Sequence, residues 1–173
     1  MGKLVLICGA NDSGKSVYAE KLVGSMNGEK FYIATMQPVN DDNHRRILKH
    51  RKQREGLGFE TLEMPYDIDK AAVYRDSLVL LEDVSNLMAN SSFELGLGPD
   101  AVFESITALA VRCGLLAAVT ISGLVSKDCD ADTAAYIDNL NYLNGMLFLA
   151  SDCAVEMRGG KAHVLKGDIN AFL

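Results

Sequence analysis

Eight residues near the start of the chain, GANDSGKS (9–16), have the spacing of a phosphate-binding loop, GxxxxGK[ST]. The chemistry behind the spacing is specific. Gly9 and Gly14 let backbone N–H groups converge on phosphate oxygens. The intervening Ala10, Asn11, Asp12 and Ser13 form the rest of the cradle. Lys15 brings a fixed cation, and Ser16 a hydroxyl suited to Mg²⁺. Such a loop needs a carboxylate to complete the metal shell, and it comes from the end of another parallel strand. In LVLLED (78–83), Glu82 follows the apolar run directly and emerges at the carboxyl edge, with Asp83 as the second candidate. A bound nucleotide, GTP or ATP, and Mg²⁺ are therefore expected.

A second stretch, NDDNHRRILKHRKQREG (40–56), differs from the rest of the chain. Its residues 44–54 hold six of the 17 Lys and Arg and two of the 3 His in a protein of net charge −6. Between His44 and Arg54 there is no acid. In a helix Arg46, His50 and Arg54 share one face, with Ile47 and Arg51 on the adjacent row. One reading is a solvated helix face, or a patch for nucleic acid. The sharper one is a clamp on a triphosphate, because arginines bind phosphate bidentately. A neutral imidazole held among them can attack phosphorus and carry it covalently.

The rest of the sequence supplies the elements that must position these groups. Strands are expected at 3–8, 30–36, 59–65, 77–83 and 115–122, and helices at 14–26, 41–55, 100–113 and 131–150. The segments 153–158 and 161–166 flank Gly159-Gly160, a two-residue hairpin signal. Residues 90–100, NSSFELGLGPD, read as a loop. Alternating strands and helices imply an α/β fold with a mostly parallel sheet and an antiparallel edge. The length of 173 residues suits a single nucleotide-binding domain. No apolar run reaches the roughly 20 residues of a membrane span. Four dispersed cysteines without metal spacing fit reduced thiols, hence a cytoplasmic location. The acidic balance argues against nucleic acid as the general partner.

Taken in order, GANDSGKSVYAE, YIATM, RILKHR, ETLEMP, LVLLED and DADTAAYIDNLNYLNGM resemble the bifunctional adenosylcobinamide kinase/adenosylcobinamide-phosphate guanylyltransferase family of cobalamin biosynthesis. RILKHR is the most specific element, since a generic phosphate-loop kinase has no need of it. The resemblance implies a P-loop α/β domain, a trimer, a corrinoid substrate, and GMP transfer through a guanylylated histidine. By position that histidine is His50. It also implies nucleotide contacts at Gly9 to Ser16, at Ala34, Thr35 and Met36, at Arg51, Lys52, Gln53 and Arg54, and at Glu63 and Glu82. Three positions depart from the family pattern. Asp12 stands where an Arg is usual, Ser122-Gly123 where an Asn-Glu pair is common, and Phe59 where many members have Trp. Two other readings remain: a different P-loop small-molecule kinase, which needs Lys15 and Glu82 but not His50, and a non-catalytic nucleotide-binding module.

Overall fold

The computed structural model describes residues 2–172. Seven strands form one sheet in the order β3-β2-β4-β5-β1-β6-β7. The strands are β1 (Lys3–Gly9), β2 (Lys30–Ala34), β3 (Phe59–Glu63), β4 (Leu78–Leu81), β5 (Leu115–Ile121), β6 (Cys153–Arg158) and β7 (Lys161–Lys166). All pair in parallel except β7, which folds back on β6 as the antiparallel edge. The helices are α1 (Lys15–Gly24), α2 (Asp41–Gln53), α3 (Val84–Leu95), α4 (Pro99–Arg112) and α5 (Ala131–Ala150).

Central strands of this kind are buried on both faces, which is why they read as continuous apolar runs. On one face Leu4, Leu6, Ile33, Val79 and Leu81 pack under α3, α4 and α5. On the other, Val5, Ile7, Tyr32 and Leu80 pack with Ala19, Leu22 and Val23 of α1. Helix α2 buries none of its residues.

Register decides what meets at the carboxyl edge. Gly9 pairs with Ile121, Leu81 with Ala118 and Ile33 with Leu81. The ends of β1, β2, β4 and β5 therefore lie side by side, and the phosphate loop and Glu82 open on the same edge.

One segment differs from the sequence expectation. Residues 90–95, read as part of a loop, form the last turns of α3. Asn and Ser favour turns locally because their side chains compete for backbone hydrogen bonds. Tertiary burial wins here: Val84, Leu87, Met88 and Ser91 recur at helical spacing and are all buried. Asp83 caps the helix by accepting from the Ser85 N–H at 2.8 Å. Gly96 ends it at φ 66° with its N–H on the Ser92 carbonyl. A Cβ at Gly96 would meet no atom within 4 Å, so only backbone strain opposes one. Gly96→Ala is expected to destabilise the protein by about 1–2 kcal/mol, read from urea unfolding. A gain in stability would mean that the helix does not stop there in the left-handed conformation.

Candidate active site

The phosphate loop is built by close approach of backbone. A Cβ on Gly9 would lie 2.5 Å from Ser13 Oγ and 2.8 Å from the Met157 carbonyl. Gly14 begins α1 at φ 88°, a conformation glycine adopts without strain, and no side chain caps this end. The first-turn N–H groups are thus left to an anion. Lys15 folds back so that Nζ donates to the Ala10 carbonyl at 3.0 Å. Burial pulls the Lys15 ammonium below its ordinary value, with Asp83 and Asp12 opposing. Asp12 is exposed, at φ 56°.

Two cavities flank His50. One, of about 200 Å³, opens from the phosphate loop and is lined by Asn11, Lys15, Ser16, Arg46 and Asp83 among others. The second, of about 280 Å³, lies beyond His50, where Tyr32, His44, Arg51, Arg54, Thr61 and Glu63 are among its walls. Met36, His50 and Glu82 belong to both. Arg46 and Arg54, expected on one face, thus serve different cavities, with His50 between them. Ala34 lines the second cavity. Arg54 is only 8% exposed, lies 3.8 Å over the Tyr32 ring and donates to Thr61 Oγ1 at 3.1 Å. Arg51 pairs with Glu63.

Three expected contacts have other positions. Lys52 is exposed and lines neither cavity. Thr35 is fully buried; its hydroxyl donates to the Asp83 carbonyl at 3.0 Å and its own carbonyl accepts from Asn90 at 2.9 Å. Gln53 turns towards α1 and donates to Glu20 Oε2.

Glu20 is the residue that sequence reasoning overlooked. It is 2% exposed, and its Oε1 lies 3.8 Å from His50 Nδ1. The faint signal is its place on α1, directly after Ala19 and four residues after Ser16. Asn144, a residue of the apolar face of α5, makes structural bonds: it accepts from Thr120 Oγ1 at 2.7 Å and donates to the Ile121 carbonyl at 2.9 Å.

Glu82 is 7% exposed, and burial holds its carboxyl above the ordinary glutamate value. His50 and Arg54 pull it down, and Asp83 pushes it up. Ser16, Glu82 and Asp83 are hard oxygen donors, the set that Mg²⁺ takes. Among the described residues no cluster of three acidic, His or Cys side chains could hold a metal alone.

A strand, a glycine-rich loop and a helix in this order, with the parallel sheet around them, place the chain among P-loop α/β proteins. It belongs more narrowly to the cobinamide kinase / cobinamide phosphate guanyltransferase family, whose model matches residues 5–160. The bifunctional adenosylcobalamin biosynthesis protein CobU of Escherichia coli (strain K12) is 34% identical over 96 residues. The protein of the same name from Salmonella typhimurium is 33% identical over 96 residues. Either match takes in 54% of this chain and 52% of the relative, so it spans about half of each relative's length. Among the described residues no helix is long and apolar enough to cross a membrane.

The raised Glu82 carboxyl has a stability consequence. Between the ordinary glutamate value and the raised one, the folded chain holds a proton that the unfolded chain has lost. Stability therefore falls as pH rises through that window, and the penalty is complete above it. Without nucleotide or metal, Glu82→Gln is expected to melt higher than wild type at neutral pH. The difference should vanish as pH falls below the ordinary glutamate range. Thermal scans across pH test this; a variant that melts lower at neutral pH would mean that His50 and Arg54 fully offset the charge.

Proposed function

We propose that this chain phosphorylates the aminopropanol hydroxyl of adenosylcobinamide and then transfers GMP from GTP to the phosphate so formed, within cobalamin biosynthesis. The observation that carries the reading is His50 itself, placed between a phosphate-loop cavity and a second cavity walled by Arg51 and Arg54. Family membership and the relatives' names support the same substrates.

In the kinase step, Lys15 and the loop N–H groups hold the triphosphate. Ser16 and Glu82 are the residues that would hold Mg²⁺, which supplies charge neutralisation on the phosphates. In the transfer step a nitrogen of the His50 imidazole attacks the α-phosphorus of GTP. The N–P bond forms, the bond to the β-phosphate oxygen breaks, and pyrophosphate leaves. An oxygen of the cobinamide phosphate then attacks the same phosphorus, the N–P bond breaks, and neutral imidazole returns. The arginines around His50 offset negative charge as each five-coordinate state forms.

Incubation with α-labelled GTP and Mg²⁺ is expected to label the wild type with an acid-labile, alkali-stable phosphoramidate. His50→Asn should bind GTP but take no label. Label that persists in this variant would move the nucleophile elsewhere, with His44 the next candidate. A folded, GTP-binding wild type that takes no label would reduce the protein to a kinase or a nucleotide-binding module. Lys15→Ala should weaken GTP binding by at least about tenfold in calorimetry, since hydrogen bonds to charged groups contribute roughly 1.5–3 kcal/mol. Unchanged affinity would remove the phosphate loop from the reading.

A further inference from the structure

Glu20 lines neither cavity, yet it is the carboxylate whose oxygen approaches the ring of His50. Its Oε2 is taken by the side chain of Gln53, three residues after His50 on α2. Its Oε1 and His50 Nδ1 are 3.8 Å apart, buried, and without a hydrogen-bond partner among the described residues. Two unpartnered polar atoms sealed off from water and aimed at each other are a costly arrangement unless they join. The gap exceeds a hydrogen bond, and such bonds in ligand-free active sites tighten when substrate binds.

We infer that Glu20 is the positioning residue for His50: its carboxylate takes the Nδ1–H of the imidazole and leaves Nε2, unprotonated, as the nitrogen that bonds to phosphorus. This rests on the guanylyl-transfer reading above. A neutral imidazole has one N–H and one lone pair, and the partner of one nitrogen decides which is which. If Nδ1 carried the lone pair, it would face a carboxylate instead of an electrophile. When Nε2 attacks, its lone pair becomes the N–P bond and the ring becomes cationic. The Nδ1 proton stays on the ring, bonded to Glu20, and the adjacent negative charge stabilises the imidazolium. When the cobinamide phosphate takes the GMP, the N–P electron pair returns to Nε2. Glu82 has a different position: it lines both cavities, where a metal bound to substrate phosphates would take it.

The test has two independent readouts. With only 3 histidines in the chain, proton–nitrogen correlation NMR on isotope-labelled protein resolves each ring, and His50→Asn assigns the signal. Wild-type His50 is expected as the Nδ1–H tautomer, and Glu20→Gln should lose that preference because an amide can donate to Nδ1. The rate of GMP incorporation from GTP should fall about 10²–10⁴-fold in Glu20→Gln, the scale of general-base and tautomer-setting contributions, with GTP affinity unchanged. Phosphorus NMR should place the wild-type adduct on Nε2. An Nε2–H tautomer in the wild type, an adduct on Nδ1, or a Glu20→Gln variant that labels at the wild-type rate would each overturn the inference. If Glu20→Gln does not fold, the wild-type tautomer and adduct position decide. A wild type that takes no label but shows the Nδ1–H tautomer would sink the transfer reading and leave the Glu20–His50 contact standing.

Discussion

A carboxylate taken out of water costs several kcal/mol unless a partner meets it, and this fold takes out two beneath one helix. Glu20 is 2% and Glu82 7% exposed. The helix above them, α2, buries no residue of its own. What docks it is polar: Gln53 to Glu20, Arg51 to Glu63, Asn43 to the Gln37 carbonyl, and the following Arg54 to Thr61 and the Tyr32 ring. Arg51, Glu63, Arg54, Thr61 and Tyr32 among them are also walls of the second cavity. The site and the seat of the helix therefore share these interactions, and a change to one of them touches both. A helix that buries no whole residue belongs to the low-stability end of a fold, where ligand-binding elements are found.

The sheet supplies the opposite quality. β1, β4 and β5 are buried on both faces and locked in register, so the phosphate loop and the end of β4 hold their separation through backbone pairing alone. The phosphate loop itself is built from backbone, with Lys15 and Ser16 as its functional side chains. The second cavity is made of side chains from β2, β3 and α2, and its shape follows wherever α2 settles. A rigid cradle on one side and a polar, separately docked wall on the other suit the transfer role proposed for His50.

How much of this can be read from the sequence follows the range of the physics. The strands announce themselves by apolar runs, because parallel strands are buried on both faces. The phosphate loop and Glu82 are legible because both are fixed by neighbours within a few residues. Residues 90–95 mislead because Asn and Ser push locally towards a turn, and only packing against the distant core makes them helical. The four-residue spacing of Arg46, His50 and Arg54 gives a row along α2 and its C-terminal cap, but not the two cavities that the row spans. Glu20 is the hardest to see. Helical period marks Ala19, Leu22 and Val23 as the buried face of α1, and an acid beside them reads as solvent-facing. Its burial comes from α2 crossing above it, a contact across 33 positions in the chain.

Two acids of the same type thus acquire different duties from where they open. Environment, not residue type, separates paired carboxylates into different roles. Glu82 faces both cavities, so its charge can be compensated by whatever binds there, and until then burial holds its carboxyl above the ordinary value. Glu20 lines neither cavity and is 2% exposed. Among its partners are the amide of Gln53 and the imidazole of His50. The amide already occupies one oxygen. A proton on the ring answers the charge on the other, and answers it best when that ring turns cationic, which is the moment at which the nucleophile proposed above would need the help.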